Sequence, residues 1–357
     1  MSLNLTEVRL TQRDVLTVAL TTPRSGPAGI FGPSCELSAQ LAAEELNAAD
    51  GAGGREIRML PVDGGGPPAV VAAEVGRLIS AGTVDAVLGW HISAVRQALV
   101  PAVACRVPYV YTAQYEGGER SPGVFVTGET PATQLFPAMR LLREARGIRS
   151  WYIVGNDYVW PRRTAALTRR YAGEYGVRIA GETFVPLGSR DFDAALRRIE
   201  RSGADAVLEL LVGQDAVEFN RSFGGRRLHE NCLRLSTLMD ENMLLGSGAE
   251  GTADLWVTSG YFETLATPES LSFGARYARR FGPDAPPVGG PGESCYEGLR
   301  LLAALAGASD TDSVDSVDAM DGVDGPRGPL RLRGNHVEQP VYLARADGLD
   351  FHVIARL

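Results

Sequence analysis

The sequence predicts an α/β protein built of two doubly wound parallel-sheet lobes, and three observations carry that expectation. Short apolar runs of strand type alternate with helical patterns along most of the chain, the rhythm of parallel strands joined by crossover helices. The alternation comes in two sets, each with enough strands for a sheet of its own. The length of 357 residues also suits two α/β cores better than one.

The first set runs from VLTVALTT (15–22) through the helical CELSAQLAAEELNA, the strand REIRMLPVD, the helical PPAVVAAEVGRLISAG and the strand VDAVLGW. A helix near VRQALVPAVACR and the strand PYVYTA complete it. The second set runs from SWYIVG through a helix over 162–175, RIAGETFVP, a helix over 191–202, DAVLELLVG, a helix near 215–223 and LRLSTLM. The boundary falls near PGVFVTGETPATQ (122–134). A later strand, ADLWVTSGYF, and the helices after it read as additions to the first sheet. The end of the chain, from GPLRLRGNH onward, reads as antiparallel strands with a hairpin turning at Asp347 and Gly348. The expected lobes are therefore 1–126 with 257–332, and 127–256 with 333–357. Between the late helices and that end, an Asp/Ser/Val-biased segment reads as an acidic helix followed by a Gly/Pro turn.

Composition excludes several classes. A net charge of -8 argues against a nucleic-acid surface, which needs clustered Lys and Arg. Cys35, Cys105, Cys232 and Cys295 form no CxxC pair, so they are expected as small core residues rather than a zinc or redox site. No apolar run is long enough to insert in a membrane. The opening residues lack a basic stretch followed by an apolar one, so the expected location is cytoplasmic, or extracytoplasmic if a leader has been removed.

No GxSxG elbow, Walker loop, HExxH or EF-hand loop occurs, and the four histidines are scattered. GPAGIFG (26–32) lacks the GxGxxG spacing of a dinucleotide loop. No cofactor and no enzyme activity are expected. What the loops after the strands do share is aromatics, small hydroxyls and amides: Trp90, Tyr111, Tyr115, Tyr158, Trp160, Phe31 and Gln214. In doubly wound sheets ligands sit beyond the carboxyl ends of strands, so this is the composition of a small-molecule site. On an extended segment Tyr158 and Trp160 would point to one side and present their rings together, with Pro161 suiting the first turn of the helix that follows.

The segments RSGPAGIFG, NAADGAGGREIRML, SAVRQALVPAV, QYEGGERSPGVFVTGETPATQ and GNDYVWPRR, with GPRGPLRLRGNH near the end, resemble the type I periplasmic-binding-protein fold. They are most similar to its branch of short-chain amide and urea binders, which includes the cytoplasmic amide sensor of the amidase operon. The paired motifs YEGxExSP and DYxxPR carry most of that likeness.

The resemblance implies two lobes joined by three crossing segments, near 125–129, 256–260 and 331–336, and closure around a ligand. It implies that the Ser93 hydroxyl and the main chain at Ala113 bind the ligand, that Tyr158 closes over it, and that Trp160 replaces a second tyrosine. His91, which stands where the amide sensor has a tyrosine, would form the facing wall with Tyr111, Gln114 and Phe31. Gln214 and Thr237 complete the expected ligand-binding set. An ammonium group would need an acid, for which Asp157, Asp240 and Glu241 are candidates. The expected ligand is a small amide or urea, or else a hydrophobic amino acid. The expected partner is an antiterminator-like regulatory protein, if the chain is a cytoplasmic sensor, or the permease of an ABC transporter, if it is a receptor. A homodimer is compatible with either.

Overall fold

The computed structural model describes residues 14–308 and 323–357. The first thirteen residues and the acidic segment named above, apart from its Gly/Pro turn, lie outside the described residues. In chain order the elements are β1 (Val15–Thr22), α1 (Gly32–Ala49), β2 (Glu56–Asp63), α2 (Pro68–Ser80), β3 (Ala86–Gly89), α3 (Ser93–Val103), β4 (Tyr109–Tyr111) and β5 (Val124–Val126). Then come α4 (Leu135–Arg146), β6 (Ser150–Asn156), α5 (Val159–Tyr175), β7 (Arg178–Val185), α6 (Asp193–Ser202), β8 (Ala206–Leu210), α7 (Gln214–Gly225) and β9 (Leu233–Ser236). Next are α8 (Glu241–Gly251), β10 (Leu255–Ser259), α9 (Pro268–Phe281) and α10 (Gly290–Ala308). The last are β11 (Asp324–Gly325), β12 (Gly328–Pro329), β13 (Arg331–Arg333), β14 (His336–Glu338), β15 (Tyr342–Asp347) and β16 (Asp350–Arg356).

The chain divides into two compact units. One takes the residues up to Gln114 with Gly118–Gly128 and Ala266–Gln339, and the other takes Tyr115–Gly117, Glu129–Leu265 and Pro340–Leu357. Each holds a seven-stranded sheet, ordered β13-β14-β5-β4-β3-β1-β2 in the first and β16-β15-β10-β9-β8-β6-β7 in the second. Six neighbouring strands of the first, β2, β1, β3, β4, β5 and β14, run parallel, and five of the second, β7, β6, β8, β9 and β10, as expected where strand and helix alternate. The central ones, such as Ala86–Gly89 and Ala206–Leu210, are buried along their whole length. Strands covered by helices on both faces read as continuous apolar runs, which is why they were visible in the sequence.

Three expectations about organisation are corrected. The strand within ADLWVTSGYF does not extend the first sheet. β10 lies parallel to β9, with Leu255 opposite Arg234, and antiparallel to β15, so both its edges are used in the second sheet. The border expected at 256 therefore moves to Leu265, and the segment expected to cross near 256–260 is the interior of this strand and the turn after it. Conversely the first part of the carboxyl end stays in the first unit, where β13 and β14 form a hairpin and β14 adds to β5. Asn335 is the reason: its carbonyl accepts the Val126 N–H at 2.8 Å, and its side-chain amide donates to the carbonyls of Glu119 and Val124. The border expected at 332 thus falls after Gln339. The hairpin at Asp347 and Gly348 is present as β15 and β16, and the Gly/Pro turn is the one joining β11 to β12. Finally, Cys105 is exposed, at a left-handed φ of 59°, whereas the other three cysteines are buried.

Candidate functional site

Among the strands joined by crossover helices, the order reverses direction between β1 and β3 in the first sheet and between β6 and β8 in the second. Loops leaving two such strands diverge to opposite faces, and the gap between them is where open α/β sheets take ligands. In the first unit this point is drawn tight by Gly89, where a Cβ would lie 1.9 Å from the Thr21 carbonyl oxygen. Beyond it come Trp90, His91 and Ile92, and then Ser93 as the first residue of α3.

Ser93 is 2% exposed, and its hydroxyl has no hydrogen-bond partner among the described residues. A buried hydroxyl without a partner costs free energy, which makes Ser93 a candidate for a contact with a bound group. It stands at the amino end of α3, where unpaired main-chain N–H groups and the helix dipole favour an oxygen-bearing, electron-rich group. The Thr21 hydroxyl at the end of β1 is likewise buried and without a partner among the described residues. The sequence did not single it out, because a threonine in a strand is ordinary.

The remaining expected residues of the first unit divide into two sets. Ala113 is 2% exposed and Gln114 half-buried, on the stretch leaving β4. Ala113 lies against Gly128, at which a Cβ would stand 2.0 Å from the Ala113 oxygen. His91, Tyr111 and Phe31 are fully buried. The His91 Nε2 is 2.9 Å from the Tyr109 hydroxyl, the Tyr111 hydroxyl donates to the His91 carbonyl at 2.9 Å, and Phe31 packs on Trp90 with ring centres 4.5 Å apart. Burial, with the nearby Arg96 guanidinium, lowers the His91 imidazole to about 3. These three side chains are enclosed in the first unit. The residues of GPAGIFG form a 3-10 turn over Pro27–Phe31, with no GxGxxG-type entry into a helix.

In the second unit Tyr158 caps the amino end of α5 in an extended conformation and is half-buried. Trp160 is 4% exposed and already belongs to the first turn. The two rings lie 6.3 Å apart with planes at 42°. The segment is therefore not extended through Trp160, and residues two apart on a helix do not share a face. Trp160 packs inward and leaves Tyr158 as the more accessible of the pair. Gln214 opens α7, and its amide donates to Glu218 at 2.9 Å. Thr237 is buried after β9, its carbonyl taking one N–H of the Gln134 side chain, which also reaches the Thr258 carbonyl.

None of the three acids is a simple ammonium partner. Asp157 is half exposed and pairs with Arg162 at 2.7 Å. Asp240 caps α8 by accepting the Met243 N–H at 2.9 Å, and Glu241 accepts the Glu263 N–H at 2.7 Å. Burial raises Asp240 to about 6; it raises Glu241 well above its ordinary value, with the neighbouring Asp240 adding to the shift. Inside this unit Glu116 of the YEGxExSP motif lies 3.8 Å from Arg163, the residue that follows the DYxxPR motif. Among the described residues there is no group of three or more metal-binding side chains, and no helix is long and apolar enough to cross a membrane.

Two parallel-dominated sheets with oxygen-seeking and aromatic residues at their strand ends define a binding protein of the two-lobed α/β type. The model of the periplasmic binding protein family matches residues 15–350, and the chain belongs to that family. It is a binding protein and not an enzyme. Among solved structures, one similar to it is a solute-binding protein of an ABC transporter from Rhodopseudomonas palustris in complex with p-hydroxybenzoic acid. The two are 22% identical with a TM-score of 0.82, over 96% of each chain. LivJ from Streptococcus pneumoniae, in complex with isoleucine, is 18% identical with a TM-score of 0.79, over 96% of this chain and 100% of that one. An ABC transporter substrate-binding protein from Sphaerobacter thermophilus is 23% identical with a TM-score of 0.78, over 96% of this chain and 97% of that one.

Proposed function

We propose that the protein is the solute receptor of an ABC transporter, and that its ligand is a small molecule with a carboxylate or carboxamide at one end and an apolar body. The observation that carries this reading is the buried, partnerless hydroxyl of Ser93 at the amino end of α3, which suits a carboxylate or amide oxygen. In the first unit the main chain at Ala113 and Gln114 offers further polar groups beside Ser93, and in the second unit Tyr158 and Gln214 stand at strand ends. The ligands of the similar structures, p-hydroxybenzoic acid and isoleucine, share the carboxylate and the apolar body. The short-chain amides and ureas implied by the sequence resemblance share the polar end. A receptor role places the protein outside the cytoplasm with a permease as its partner, in preference to a cytoplasmic sensor with a regulatory partner.

A thermal-shift panel of benzoate, 4-hydroxybenzoate, isoleucine, acetamide and urea tests the ligand class, because a ligand of the native state raises the melting temperature by mass action. At least one should raise it for the wild type and fail to do so for Ser93→Ala. No shift with any of them at millimolar concentration rejects the class. Cell fractionation tests the location, and recovery only in the cytoplasm rejects the receptor role.

A further inference from the structure

Asn156 ends β6 and Asp215 lies in the first turn of α7, and they are 0% and 2% exposed. The Asn156 side-chain amide donates to Asp215 Oδ2 at 2.6 Å. The same oxygen accepts the main-chain N–H groups of Gly188 at 2.8 Å and Ser189 at 3.2 Å, in the stretch that follows β7. From its other side, Asn156 Oδ1 accepts the N–H of Val212 at 2.9 Å, in the loop after β8. Two side chains thus tie together the three loops that follow β6, β7 and β8. Tyr158 comes two residues after Asn156 and donates its N–H to the Asn156 carbonyl at 3.0 Å. Gln214 directly precedes Asp215, after Gly213 has made a turn with a φ of 51°.

We propose that Asn156 and Asp215 are positioning residues that hold Tyr158 and Gln214 in the arrangement that meets the ligand, without touching the ligand themselves. This rests on the reading of the strand-end loops as the ligand site. One carboxylate oxygen serves three donors, so the loops share a single anchor and cannot shift independently. An apolar residue in place of Asp215 would leave three N–H donors without that acceptor, and each loop would settle on its own. Asparagine in its place keeps one oxygen where the donors converge, so it preserves the geometry without the charge. The strand-end position matters, because these loops are the part of the second unit nearest the point where its strand order reverses.

The test compares wild type, Asp215→Ala, Asp215→Asn and, as a control for general destabilisation, Ile199→Val in α6. Amide hydrogen exchange is followed at residues 156–158, 188–189 and 212–214, and affinity is titrated with benzoate, 4-hydroxybenzoate, isoleucine and acetamide. Asp215→Ala should raise exchange at all three stretches together by about tenfold or more, and weaken the best probe by about tenfold or more. Asp215→Asn should recover most of both, while Ile199→Val leaves affinity unchanged. A rise confined to 188–189 with unchanged affinity overturns the inference, as does an equal loss of affinity in Ile199→Val. If the wild type binds none of the probes, the ligand class has failed instead, and exchange at the three stretches decides whether the shared anchor exists.

Discussion

Arg96 and Glu119 form a buried ion pair inside the first unit, their side chains 5% and 7% exposed, and Arg96 stands one helical turn after Ser93 on α3. Glu119 also accepts the N–H groups of Arg120 and Ser121, at 3.0 and 2.9 Å. Glu119 of EGGERSP is thus the clasp that fastens this loop to the helix that begins at Ser93. Glu119→Ala would strand a guanidinium in the interior. It is expected to cost about 3–5 kcal/mol, read from chemical denaturation. A cost under about 1 kcal/mol would mean that the pair is solvated in solution.

Ser93→Ala should separate binding from stability. Its hydroxyl has no partner to lose among the described residues, so the melting temperature should stay within a degree or two or rise slightly. The affinity for the carboxylate or amide ligand should fall by about 1–3 kcal/mol, measured by calorimetric titration. A large loss of stability with unchanged affinity would place Ser93 in the core and the site elsewhere.

His91 and Glu209 give the two units opposite responses to acid. With its imidazole held at about 3 against an ordinary 6.5, folded His91 stays neutral where the unfolded chain takes up a proton. The first unit therefore loses stability as pH falls from about 6.5 towards 3. The ring signals of His91 in NMR should not move between about pH 5 and about pH 8. A mid-range titration would show that the ring is open to water.

Glu209 lies fully buried in β8, where burial raises it to about 7 although Arg234 and the Asn220 amide, at 2.9 Å, oppose the shift. Folded Glu209 keeps its proton between 4.5 and about 7 while the unfolded chain releases it. The second unit is therefore most stable on the acid side and loses stability as pH rises through that window, by on the order of 3 kcal/mol at most. Glu209→Gln should flatten the loss, seen as pH-independent protection factors for hydrogen exchange in β8 and β9. An unchanged slope would assign it to another group, for which Asp240 at about 6 has the same sign.

Much of the fold was legible because a strand covered on both faces must be apolar throughout, as Ala206–Leu210 is. Which sheet a strand joins was not legible for β10 or for the β13–β14 hairpin. Membership is decided by main-chain pairing, and Leu255 looks the same beside either partner. Ser93 and Tyr158 were singled out because both follow strands and sit in segments that carry the family resemblance. Trp160 was misread because α5 starts at Val159 rather than at 162, and three residues of helix turn a ring from the surface to the core. Asn156 and Asp215 were invisible for a different reason. A polar residue near a strand end looks solvated in sequence, and only the fold shows that it is enclosed.

The late return of the chain to the second unit orders its assembly in time. Strand β10 pairs on one side with β9, from nearby in sequence, and on the other with β15, which is made some eighty residues later. Between those moments α9, α10 and the whole β11–β14 stretch are synthesised for the other unit. Throughout that interval one edge of a nearly complete parallel sheet offers unpaired N–H and C=O groups to whatever strand arrives first. The final hairpin, with its outer strand DFHVIAR, is thus a closing seam, and truncating it would expose β10 as a template for joining chain to chain.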